Sequence, residues 1–106
     1  MRSQELYKIR ERVVEELKKL KRELNAEIYL FGSYTRGTHI PDSDVDIIVV
    51  SRQFEEMSLP ERVAYVRLRL PQDIGFDIIP LTPEEFKEKL KKSTLIKEAS
   101  KYWIKI

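Results

Sequence analysis

The chain has 106 residues, with 20 Lys plus Arg against 18 Asp plus Glu and a formal net charge of +2, a balance that does not indicate a uniformly basic nucleic-acid-binding surface. Its 42% hydrophobic and 36% charged residues, with only 3 Gly and 5 Pro, describe an ordered chain with room for one domain, expected over residues 1–106. Zero Cys and the single His39 exclude a disulfide framework, a thiolate metal site, a cysteine nucleophile and a multi-histidine site, which leaves Asp and Glu as ligands for any cation.

From Gln4 to Leu24 the apolar residues Leu6, Ile9, Val13, Leu17, Leu20 and Leu24 recur every three or four positions, the stripe of an amphipathic helix. Ser3 is the expected cap at its start and Asn25 the expected stop. Residues 26–31 alternate more nearly at period two and read as a strand ending at Gly32. Residues 32–43 form a turn region with a short helix expected from Ser33. Val45 to Val50 is almost continuously apolar, as in a central strand covered on both faces. Ser58 and Glu61 make a capping box and Pro60 suits a first helical turn, so a helix is expected over about 59–70, ending before Pro71. Residues 74–79 form another apolar strand closed by Pro80. Thr82-Pro83-Glu84-Glu85 opens a helix running to about Lys92, Ser93 begins a last short helical turn, and Tyr102 to Ile106 alternates as a terminal strand. The expected fold is α+β (mixed α/β), a short mixed sheet with packed helices in the order α-β-α-β-α-β-α-β, its strands 45–50 and 74–79 parallel through a helical crossover.

No apolar run approaches the roughly 18–20 residues of a membrane span, and the amino terminus lacks the apolar region of a signal peptide. A cytoplasmic protein without membrane association is expected. One Asn and three Gln among so many Lys, Arg and Glu resemble the composition of thermophile proteins; a melting temperature above the mesophile range is the corresponding expectation.

The chemistry concentrates in residues 30–50, LFGSYTRGTHIPDSDVDIIVV. Asp44 and Asp46 stand two apart where a strand begins, which puts both carboxylates on one face, able to share a cation. Like charges held together raise their own pKa unless a cation or a proton offsets them. Asp77 lies in the neighbouring expected strand, roughly 4.8 Å away, within reach of the same place. Three carboxylates without His or Cys suit Mg²⁺, which takes substrate phosphate oxygens among its ligands. Gly32-Ser33 sits between a strand and a helix start, where backbone N–H groups and a hydroxyl can cradle phosphate, and Arg36 adds a charged donor. Taken singly, a Gly-Ser is commonly a turn, an Asp-x-Asp a solvated cap and a lone strand Asp an edge residue; their conjunction carries the argument. His39 reads as a surface loop residue, Tyr102-Trp103 as core or interface packing, and the lysines of 87–105 as a solvated face. Residues 1–24 and 81–106 each carry +3 and residues 25–80 carry −4, so the acidic middle coincides with the carboxylates.

Gly32-Ser33, ten residues, then Asp44-Val45-Asp46, with Arg36-Gly37 and Ser43 between them and Asp77 beyond, resembles the minimal nucleotidyltransferase (MNT) family of the DNA polymerase β superfamily over nearly the whole chain. The resemblance implies the nucleotidyltransferase fold and transfer of a nucleoside monophosphate, usually AMP from ATP, to an acceptor hydroxyl. It implies that Gly32, Ser33 and Arg36 hold the nucleotide. Asp44 and Asp46 would bind two Mg²⁺ ions, and Asp77 would complete the second site and take up the acceptor proton. Larger relatives add a domain for base or acceptor; here a partner or a second copy in a homo-oligomer would supply that grip. Small MNT chains are found with a helical HEPN protein as toxin and antitoxin, the MNT protein modifying its partner. The alternative is a non-catalytic antitoxin or nucleotide-binding module that occludes its partner.

Overall fold

The computed structural model describes residues 2–32 and 44–106. Helix α1 (Arg2–Leu24) buries Val13, Leu17, Leu20 and Leu24, the spacing the stripe requires. Its range includes Ser3, the expected cap, one residue after its first residue Arg2. At the other end Asn25 adopts φ 49°, and its N–H donates to the Arg22 carbonyl while that of Ala26 donates to Lys21. This left-handed closure satisfies the last carbonyls, and Asn tolerates it better than most side chains.

Strand β1 (Glu27–Phe31) pairs antiparallel with β2 (Val45–Val50), and β2 pairs parallel with β3 (Phe76–Leu81). The two-residue β4 (Ile104–Lys105) joins the outer side of β1, giving the order β3-β2-β1-β4. Between β2 and β3 come a 3-10 turn (Arg52–Phe54) and helix α2 (Leu59–Arg67); after β3 come α3 (Pro83–Lys92) and α4 (Thr94–Ser100). Both expected capping boxes form: the Ser58 N–H donates to Glu61 and the Glu61 N–H to Ser58, and Thr82 and Glu85 repeat the exchange.

Alternation in β2 divides the core. Val45, Ile47 and Val49 face Leu17, Leu20, Phe54 and Val66 of the α1 and α2 side; Ile48 and Val50 face Phe86, Ile96 and Ala99 of the α3 and α4 side. The strand is therefore covered on both faces, as its composition requires. Among the described residues no helix is long and apolar enough to cross a membrane.

Several boundaries differ from expectation for local reasons. Helix α2 gives way at Leu68 to tighter turns, with Arg69 donating to Val66 and Leu70 to Arg67, because Pro71 disfavours helical geometry in the residue before it. Strand β3 spans 76–81 rather than 74–79 and contains Pro80. The Pro80 carbonyl accepts from Arg62 rather than from β2, so its missing N–H faces the free edge of the sheet, where no ladder bond is lost. The last helical turn expected after Ser93 is a seven-residue helix capped by Ser93. Tyr102 and Trp103 close that helix by donating to Ala99 instead of entering the strand. Trp103 packs on Tyr29 at 4.4 Å between ring centroids, which places it in the core, while Tyr102 is exposed.

Candidate active site at the end of the sheet

The register of the sheet assembles the site. Phe31 lies opposite Asp46, and Asp46 opposite Asp77. By alternation this row shares the α3 and α4 face with the next one, Tyr29–Ile48–Ile79, which Phe86 and Trp103 cover. Asp44 stands immediately before β2 and is exposed, as is Asp77; Asp46 between them is half-buried. Asp46 and Asp77 are close enough to share a hydrogen bond, which requires a proton on one of them. The Asp46 carboxyl is pushed up from its ordinary 3.8, first by burial, then by the charge of Asp77, its hydrogen bond and the charge of Asp44. Burial is the largest cause, and the like-charge share from Asp77 and Asp44 is the part a cation would offset.

Two glycine backbones press against these groups. Gly32 ends β1 at φ 76°, and a Cβ added there would collide with Asp46 Oδ2. That position is reserved for glycine twice over, by its left-handed backbone and by the carboxylate. Gly75, just before β3, is in the same relation to Asp44 Oδ1. Sequence reasoning missed Gly75; the available signal was an isolated glycine at a strand entrance, which marks close approach of another group.

The structure thus brings together Gly32, Asp44, Asp46 and Asp77. Ser33 and Arg36 lie outside the described residues, as do Gly37, His39, Ser43 and the short helix expected from Ser33. Among the described residues no group of three or more His, Asp or Glu side chains forms a ready-made metal cage. An oxygen-only set built on a close carboxylate pair still fits Mg²⁺, which is usually held by one or two carboxylates together with waters and substrate phosphates. The mutual repulsion at Asp46 is the structural feature that such a cation would relieve.

A four-stranded mixed sheet flanked by helices, with Asp44, Asp46 and Asp77 gathered at one end of β2 and β3, defines a mixed α/β protein with a carboxylate site. The sequence pattern of the nucleotidyltransferase domain family matches residues 8–103, and the chain belongs to that family. A relative from Methanocaldococcus jannaschii, provisionally named a protein adenylyltransferase, is 25% identical over 101 residues, covering 89% of this chain and 98% of its own. A Sulfolobus solfataricus crystal structure, provisionally described as a nucleotidyltransferase, superposes with TM-score 0.59 at 26% identity over 78% of each chain. A toxin-antitoxin crystal structure with AMP-PNP superposes with TM-score 0.60 at 24% identity, over 86% of this chain and 69% of that one, and speaks for the fold alone.

Proposed function

We propose that the protein transfers a nucleoside monophosphate, AMP from ATP, to a hydroxyl on a partner protein, with Mg²⁺ held by Asp44, Asp46 and Asp77. The observation that carries this reading is the cross-strand pair Asp46–Asp77 beside Asp44 at one end of the sheet, with glycine backbone fitted against the carboxylates. In the reaction the acceptor oxygen forms a bond to the α-phosphorus, the bond from that phosphorus to the α–β bridging oxygen breaks, and pyrophosphate leaves. Two bound Mg²⁺ ions would supply charge stabilisation for the entering and leaving oxygens. Asp44 and Asp46 would hold those ions at the triphosphate end of the site. Asp77, at the exposed end of the row, faces the acceptor and takes its proton. Gly32 lets the chain turn closely past Asp46, and its backbone with Ser33 binds the β- and γ-phosphates, Arg36 adding a charged donor.

The M. jannaschii relative's name supports a protein acceptor. A toxin partner is what the family resemblance implies, with a helical HEPN-type protein as the candidate. Incubating the chain with α-labelled ATP and Mg²⁺, with and without that partner, tests the reading by gel and intact mass. One or more AMP units on the partner, absent with Asp46→Asn, is the expected result. Tight partner binding without any increment would replace transfer by the occluding-antitoxin reading.

A further inference from the structure

We propose that Gly75 is a positioning residue: its bare backbone is the wall against which the Asp44 carboxylate rests, holding that carboxylate in line with Asp46 and Asp77. The role for Asp44 in binding rests on the function proposed above; the contact itself does not.

Gly32 and Gly75 are glycines for different reasons. Gly32 has φ 76°, whereas Gly75 is not among the positive-φ glycines, so an alanine there meets no left-handed strain. What excludes a side chain at Gly75 is Asp44: an added Cβ would strike Oδ1, come within 3.2 Å of Cγ and stay 3.9 Å from Cα. The backbones of the two segments are pinned together, because the Val45 N–H donates to the Gly75 carbonyl at 2.9 Å and the parallel register begins at Val45 and Phe76. Asp44 is exposed, and a side chain turns about its own torsions at less cost than a hydrogen-bonded strand pair shifts. A methyl group at residue 75 therefore displaces the carboxylate rather than the strand. Groups that orient a metal ligand without touching the metal typically change its affinity by about 10- to 100-fold.

The test compares wild type, Gly75→Ala, Asp44→Ala and the double variant. The readouts are melting temperature, the carboxyl ¹³C resonance of Asp44, and Mn²⁺ affinity measured by electron paramagnetic resonance with a non-hydrolysable ATP analogue. Gly75→Ala is expected to keep or raise the melting temperature, to move the Asp44 resonance while leaving that of Asp77 in place, and to weaken Mn²⁺ about 10-fold or more. In the Asp44→Ala background the same substitution should change Mn²⁺ affinity no further. An unmoved Asp44 resonance, or a melting temperature that falls because the backbone yields instead, overturns the proposal. If wild type binds no Mn²⁺, the proposed function fails, and the Asp44 resonance alone still decides whether Gly75 positions the carboxylate.

Discussion

Two neighbouring rows on one face of the sheet follow opposite rules. In the Tyr29–Ile48–Ile79 row, apolar side chains are roofed by Phe86 and Trp103, and each large side chain so buried contributes roughly 1.5–3 kcal/mol. One row along, Phe31–Asp46–Asp77 sets two carboxylates side by side with Asp44 adjoining, an arrangement that costs stability unless a proton or a cation offsets it. The first row holds the second in place, and stability and chemistry are segregated within two residues of the same strand.

Asp46→Asn should separate the two most sharply. Transfer is expected to fall by about 10²- to 10³-fold or more, the scale seen when one preorganised charge-stabilising group is lost. The fold should gain. The folded-state pKa of Asp46 is raised above its ordinary 3.8, so the stability linked to its proton is fully present below 3.8 and is lost as pH rises through the folded value. In metal-free buffer at neutral pH, Asp46→Asn should therefore melt above wild type, and the gap should close as pH is brought down toward 4. Wild type, and not the variant, should recover stability on adding Mg²⁺ with ATP. A variant that melts lower at neutral pH would contradict the electrostatic account of the site.

Phe86→Ala attacks the other row. Phe86 is buried and stacks on Tyr29 at 5.1 Å, and its truncation should cost about 3 kcal/mol or more, read by urea unfolding. Because Phe86 packs with the covered row through Tyr29 and Trp103, the divalent-metal affinity of the molecules that remain folded should change little. A matching loss of metal affinity would mean that the rows are coupled rather than segregated.

Much of this division was legible in the residues. The run 45–50 announced a doubly covered strand, its one Asp stood out, and Asp77 fell in the segment expected to lie beside it. The capping boxes at Ser58 and Thr82 marked helix starts through local hydrogen bonds, the kind of information a short segment contains. Pro80 misled because its meaning depends on which strand lies at the edge, a property of the assembled sheet and not of the segment. Gly75 offered only half a signal: an isolated glycine at a strand entrance marks a close approach, but its partner Asp44 is remote in sequence, and no periodicity names a distant carboxylate.

Glu85 reverses the pH sign of Asp46. Arg62 Nη1 donates to its carboxylate at 2.6 Å and the Thr82 N–H at 2.8 Å, which holds Glu85 below its ordinary 4.5, the Arg62 hydrogen bond contributing most. Its contribution is present above 4.5 and is lost as pH falls through the lowered folded value. With the carboxylate side chain 44% exposed, solvent screening keeps the effect of Glu85→Gln to about 1 kcal/mol. That loss should be visible in urea unfolding at pH 7 and shrink toward pH 3, whereas the Asp46→Asn gain shrinks as carboxylates protonate from the other side of the balance.

The smallest effect is expected where the geometry looks strongest. Arg12 donates to both carboxylate oxygens of Asp73, at 2.6 and 2.9 Å, joining α1 to the turn that precedes Gly75 and β3. Both partners are largely exposed, so water competes for each charge, and ordering two flexible side chains offsets most of the attraction. Asp73→Asn should leave the melting temperature at neutral pH unchanged within error, in low and in high salt alike. A clear fall, abolished by salt, would show that this clamp holds the turn carrying Gly75, and would extend the support of the carboxylate row beyond the sheet to the first helix.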